Sequence, residues 1–223
     1  MALRGTAVVA IWNDITPEGR DNFIEWHNRE HIPERVGIPG FLRGRRYVAD
    51  YGTPAYYTLY EAADPAVLTG AAYLERLNNP TPWTKQATAE FRNTLRGVCV
   101  TRYSRGSGDG GVMLTLRFDP EGPHSATLEQ GIVAELEKAG AMKGISGTHL
   151  CIADSAASGI ETAERRGRQV GVPNWIVMVE GSSAPAADAA GEALSAGLAR
   201  LGGTGTIEKG LYRLEFSLAD FGE

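Results

Sequence analysis

Three segments in the first half of this 223-residue chain recur in the same order in its second half. That internal repeat restricts the fold more than any other feature. Gly40-Phe-Leu-Arg-Gly-Arg-Arg-Tyr-Val-Ala-Asp50 lines up with Gly144-Ile-Ser-Gly-Thr-His-Leu-Cys-Ile-Ala-Asp154. Ala55–Glu61 lines up with Asn174–Glu180, and Gly97–Ser104 with Gly210–Ser217. Few residues are identical, so the shared order carries the argument. The repeat divides the chain into a first unit over residues 1–105, a flexible Gly-rich linker over 106–111 and a second unit over 112–223.

Each unit reads β-α-β-β-α-β. In the first, Thr6–Asn13 is β-rich. Thr16 caps a helix with Pro17 at its first position, and this helix runs to about His31 and stops before Pro33. Phe41–Ala49 and Tyr56–Glu61 form a hairpin around Asp50, Gly52 and Pro54. A helix from Pro65 to Leu77 is broken at residues 78–82 and resumes over Thr84–Phe91, before a last strand at Val98–Tyr103. The second unit has strands at Val112–Phe118, Thr148–Ala153, Trp175–Glu180 and Leu211–Ser217, with helices at Ala126–Ala139 and Ala186–Leu201. Its hairpin carries a polar, Arg-rich insertion, Ser155 to Gly171, which reads as a solvated loop or as a lid.

A β-α-β-β-α-β unit is the ferredoxin-like split βαβ, with helices on one face of an antiparallel sheet. Yet Ala7–Trp12 and Ile176–Val179 are apolar on both faces, where a half-solvated strand would alternate. The open face must therefore be covered, most simply by the sheet of the other copy. The expected fold class is α+β: two tandem ferredoxin-like βαββαβ repeats whose antiparallel sheets pack face to face as an intrachain dimeric α+β barrel. Such a pseudo-dimer can enclose a small ligand between its sheets. Further association of copies through the outer edges stays open.

Several function classes fall away. With 22 basic and 27 acidic residues the net charge is −5, which gives no support to nucleic acid as a partner. No apolar run approaches a membrane span and the start lacks a secretory leader, so the expectation is a cytoplasmic protein with no membrane partner. Cys99 and Cys151 sit in apolar runs and read as buried thiols. There is no phosphate-binding glycine loop, no G-x-S-x-G elbow and no cysteine pair at metal spacing.

What remains is an imidazole pair. His27 and His31 stand four apart on one side of the first helix, with Phe23 and Trp26 on roughly the same side as an aromatic wall. A histidine can take and return a proton near neutral pH. His27-Asn-Arg-Glu-His31 also fits the H-x-x-E-H zinc pattern, but no third ligand is evident, so no metal is assigned. Arg43, Arg45 and Tyr47 share one face of the second strand, and Arg46 takes the other. Arg45 or Arg46 would orient an anionic group, while Glu30 and Tyr47 would orient the histidines. Tyr56, Tyr57 and Tyr60 line a pocket, supply a hydroxyl or pack as core, with Tyr57 the candidate. Asn13 ends the first strand, Trp12 precedes it, and Trp83 is placed to cover a barrel end.

Phe23-Ile-Glu-Trp-His-Asn-Arg-Glu-His-Ile-Pro33, Gly37-Ile-Pro-Gly-Phe41 and Arg45-Arg46-Tyr47 together resemble the EthD-like members of the dimeric α+β barrel superfamily. The resemblance covers about residues 5–105. At the repeat offset, His27 falls on Gly131 and His31 on Glu135, so any site should be single. The resemblance implies a cofactor-independent enzyme using histidine acid–base chemistry on a small hydrophobic or aromatic catabolic intermediate, as an isomerase, a lyase or dehydratase, or an oxygenase. It also admits a non-catalytic binding or accessory protein, or a member that holds haem or a metal.

Overall fold

The structure, a computed structural model, describes residues 3–220; residues 1–2 and 221–223, the outer ends of the two repeat units, lie outside the described residues. Eight strands form the frame. They are β1 (Ala7–Ile15), β2 (Phe41–Tyr51), β3 (Tyr56–Ala62), β4 (Phe91–Gly106), β5 (Val112–Phe118), β6 (Ile145–Ala153), β7 (Trp175–Gly181) and β8 (Glu208–Ala219). They close into one ring in the order β1-β3-β2-β8-β5-β7-β6-β4, with every neighbouring pair antiparallel. Each repeat supplies four consecutive strands of the ring. The molecule is a dimeric α+β barrel built within one chain.

The two sheets do not merely face each other. They are hydrogen-bonded along both edges, β2 with β8 and β4 with β6. Among the described residues every strand of the ring is paired on both sides. This pairing also explains why β4 is far longer than Val98–Tyr103. Its first part pairs with β1, from Phe91 opposite Ile15 to Val100 opposite Ala7. Its last part pairs with β6 of the other repeat, as far as Gly106 opposite Gly147.

The repeat is visible in detail. Gly40 and Gly144 open β2 and β6 with φ of +91° and +83°, a backbone region that L side chains rarely adopt. A Cβ on Gly40 would stand 2.6 Å from Val67 Cγ2, and one on Gly144 2.8 Å from Ala186 Cβ. Gly40→Ala is therefore expected to cost about 1–2 kcal/mol, read from the urea midpoint at unchanged slope.

Strand alternation sorts the side chains. Val8, Ala10 and Trp12 of β1, and Tyr57 and Leu59 of β3, point into the barrel, where they meet Met113, Cys151, Ile176 and Met178 of the second repeat. Trp12 stacks on Tyr57 at 4.5 Å between ring centroids, and Tyr57 lies 5.5 Å from Tyr47 and 5.6 Å from Tyr212. This aromatic column fills the space between the sheets. One end of the barrel carries a buried ion network. Arg43 chelates Glu61 at 2.8 and 2.9 Å, and Arg45 bridges Glu61 at 2.9 Å and Glu180 at 3.1 and 3.2 Å.

Outside the ring lie the helices α1 (Arg20–Trp26), α2 (Ile32–Val36), α3 (Ala71–Asn78), α4 (Pro82–Ala89), α5 (Ala126–Gly140), α6 (Ser155–Ser158) and α7 (Ala184–Leu201). Between α1 and α2 the chain makes a π-turn over His27–His31, with the Ile32 N–H donating five residues back to the His27 carbonyl. The helix thus does not stop before Pro33, as the sequence predicts. A wider turn accommodates a ring that would collide with the carbonyl four residues earlier in a regular α-helix.

The insertion also departs from a solvated loop. After α6 it crosses onto the first repeat. There the Ala163 N–H donates to Asn78 Oδ1 (3.1 Å), the Glu164 N–H to the Leu77 carbonyl (3.0 Å) and the Gly171 N–H to the Thr94 carbonyl (3.0 Å). Among the described residues, no helix is long and apolar enough to cross a membrane.

Candidate active site

The outward faces of β1 and β3 present Ile11, Asn13, Thr58 and Tyr60. The helical segment 20–36 lies over them and brings Trp26, His27, His31 and Arg35 to the same place. Phe91 of β4 and the inserted segment, through Glu164, Arg165, Arg168 and Val170, complete a pocket with about 40 Å³ of free space. That is room for a few water molecules.

Aromatic stacking fixes the imidazoles. Trp26 stacks on His31 at 4.2 Å and on His27 at 5.0 Å, and the two imidazoles lie 5.4 Å apart within 10° of parallel. Phe23 packs on His27 at 4.6 Å. Trp26 is held in turn by donating Nε1–H to Thr84 Oγ1 at 3.2 Å. Glu30 accepts from the hydroxyls of Thr81 (2.6 Å) and Thr84 (3.3 Å). Its carboxylate steadies the tryptophan that clamps the imidazoles and does not contact either histidine.

Burial holds both histidines well below the ordinary imidazole range. The positive charges of Arg46 and then Arg35 add to this at His27; at His31 those of Arg35 and, further off, Arg168 do so, as does the competing protonation of His27. Both are neutral at pH 7. The unfolded chain binds protons below its ordinary value of 6.5 while the folded chain refuses them, so stability is lost as pH falls below 6.5. The expected slope is up to about 1.4 kcal/mol per pH unit for each imidazole. Urea melts at a series of pH values measure it, and a His27→Phe/His31→Phe chain should lose most of it.

Six buried polar atoms on residues lining this pocket have no hydrogen-bond partner: Nδ1 of His27 and of His31, Oγ1 of Thr58, the hydroxyl of Tyr60, and Nε and Nη1 of Arg168. Buried polar atoms are nearly always satisfied, so these six are available to water or to a polar ligand in the pocket. Burial also raises the Tyr60 hydroxyl far above its usual range, which keeps it protonated as a donor.

The other sequence candidates scatter. Trp12, Tyr47, Tyr57 and Arg45 point into the barrel, on the opposite face of the sheet from the imidazoles. Trp12 and Tyr57 are therefore core rather than pocket wall. Tyr47 cannot orient a histidine across the sheet, and Arg45 is committed to two carboxylates. Arg46 points outward, but it donates from Nε to Glu215 at 3.1 Å and from Nη1 to Asn28 at 2.9 Å, beside the pocket rather than in it. Trp83 donates Nε1–H to Asn22 at 2.9 Å and ties α4 to α1. Asn13 does line the pocket. The imidazoles themselves face this outer pocket and not the space between the sheets. Sequence reasoning missed Thr58 and Arg168 and passed over Tyr60. The two-residue period of β3 puts Thr58 and Tyr60 on one face, and Thr58 pairs with Ile11 across the sheet.

Neither metal alternative fits these residues. Glu30 is turned to the threonines, and no group of three His, Cys, Asp or Glu side chains suited to a metal occurs among the described residues. Nor do the imidazoles suit a haem, since both ring faces are taken up by stacking on Trp26 and on each other.

No family model matches the chain, and no curated protein matches its sequence. Solved structures do match its fold. An anthrone oxidase-like protein is 13% identical, with 97% of this chain and 93% of that one aligned at a TM-score of 0.64. A candidate monooxygenase from Lactobacillus acidophilus NCFM is 11% identical, with 96% of each chain aligned at a TM-score of 0.58. A variant chlorite dismutase from Candidatus Nitrospira defluvii is 10% identical, with 96% of this chain and 92% of that one aligned at 0.54. At such identities the likeness is one of architecture: this chain shares the dimeric α+β barrel with them.

Proposed function

We propose that the chain is an enzyme that moves a proton on a small aromatic substrate, with His31 as the base in the pocket outside the first sheet. The observation that carries this reading is the set of unpartnered polar atoms converging there: two neutral imidazole nitrogens, a protonated phenol and an unpaired guanidinium edge. A neutral imidazole can accept a proton from an activated C–H of the substrate at Nδ1. The Tyr60 hydroxyl is a donor for the oxygen on which negative charge then develops. The resulting anion can be reprotonated elsewhere, lose a leaving group or react with dioxygen. One deprotonation thus serves isomerisation, dehydration and oxygenation alike, without a resident cofactor. The EthD-like reading of His31-Ile-Pro33 and Gly37-Ile-Pro-Gly-Phe41 supports the same assignment, as does an anthrone oxidase-like protein on the same architecture.

The test is hydrogen–deuterium exchange at the acidic methylene of anthrone and of hydroxylated anthrones in D₂O without oxygen, followed by NMR. Wild-type protein should accelerate the exchange, and His31→Gln should not. Equal exchange with the two proteins, or tight binding with no acceleration by either, overturns the proposal and favours an accessory binding protein.

A further inference from the structure

Arg168 stands apart from the other arginines around the pocket. Arg35 is bound by Glu34 at 2.8 Å and by Glu164 at 2.6 Å. Arg96 donates to the Tyr73 hydroxyl at 3.1 Å, and Arg165 to the carbonyls of Ser158 (2.5 Å) and Ile160 (3.2 Å). The guanidinium of Arg168 lies 5.4 Å over the Phe91 ring, and its buried Nε and Nη1 have no hydrogen-bond partner. A guanidinium with donors removed from both water and acceptors is costly unless an anion completes it. Its planar fork matches a carboxylate in particular.

The surroundings point the same way. Four guanidinium groups line the pocket against the single lining carboxylate of Glu164, which Arg35 already holds. The rest of the wall is aromatic, with Trp26, Phe91 and Tyr60. Arg168 also lies close enough to His31 for its charge to be felt there. It comes from the insertion of the second repeat, which is anchored on both sides of it, at Glu164 and at Gly171.

We propose that Arg168 is the anion-recognition residue of this pocket and that the ligand is an aromatic carboxylic acid. Its carboxylate pairs with Arg168, whose side chain swings off Phe91 to open the room that the closed pocket, with about 40 Å³ free, lacks, and its ring then packs on Phe91 within reach of His31. The second repeat, with Gly131 and Glu135 where the first has its imidazole pair, thus supplies the specificity of the first repeat's site. This rests on the outer pocket being the active site, and it adds the substrate class to that reading.

The experiment uses 2-naphthoate and its neutral counterpart 2-naphthamide as probes, with binding followed by tryptophan fluorescence and calorimetry. Wild-type protein should bind the acid at least about tenfold more tightly than the amide. Arg168→Met should weaken the acid by about 10–100-fold and leave the amide unchanged, which erases the discrimination. Arg168→Lys should restore part of it by charge alone. Urea melts of both variants show whether each is folded. The proposal is overturned if wild type does not prefer the acid, or if folded Arg168→Met keeps the preference. Those results leave the exchange test of His31 intact, whereas a failed exchange test with intact discrimination would remove the chemistry and keep the binding site.

Discussion

His31→Gln is expected to slow deprotonation of the substrate by about 10²–10⁴-fold, the usual contribution of a positioned general base. Glutamine keeps a polar side chain of similar reach but cannot accept the proton, so the loss should fall on kcat with little change in KM. His27→Gln should cost less. His27 flanks His31 at 5.4 Å and lowers its proton affinity from the side, and His27 itself is more deeply covered by Phe23. The pH profile gives an independent check. A base must be unprotonated to act, and burial holds both imidazoles well below 6.5. Hence kcat/KM should stay level as pH is lowered to 6.5 and should decline only at more acid values. A decline centred at 6.5 or above would mean that the working group is not the buried imidazole.

Arg45→Met is expected to destabilise the fold by about 3–5 kcal/mol, because it leaves a buried carboxylate without its principal cation. Glu180 is fully buried, and burial alone would raise its pKa. The neighbouring His149 imidazole and the charge of Arg45 more than offset this and hold it at about 2. Without Arg45 it keeps only His149 at 3.3 Å and the Gly110 N–H at 3.0 Å. Glu61 suffers less, since Arg43 still chelates it. Urea denaturation should show the loss as a lower midpoint at unchanged slope. Arg45→Met/Glu180→Leu should recover a substantial part, because the uncompensated charge is then gone. If the double variant is as unstable as the single, the cost lies in packing around Tyr47 rather than in charge. Because Arg45 lies across the sheet from His31, folded Arg45→Met protein should keep its deprotonation rate.

Much of the architecture is legible from pattern alone. Residues apolar on both faces in Ala7–Trp12 and Ile176–Val179 require a second covering layer, and the repeated β-α-β-β-α-β order supplies it. Gly40 and Gly144 mark equivalent turns because only a residue without a side chain sits easily at their φ. Alternation along β2 correctly separates Arg43, Arg45 and Tyr47 from Arg46. Which side of the sheet carries the chemistry is not legible, because a period of two names two faces and does not say which is inner.

The sequence by itself determined the two repeats, their strand faces and the pairing of His27 with His31 on one side of a helix. These follow from periodicity and from residues acting over a few positions. Only the tertiary structure decided that the barrel interior is filled by Trp12 and Tyr57, that the imidazoles face an outer pocket, and that Arg168 arrives there from the far repeat. The segment 155–171 approaches Leu77 and Thr94 across the closed ring. Contacts between residues so distant in the chain leave no local pattern from which they could be read.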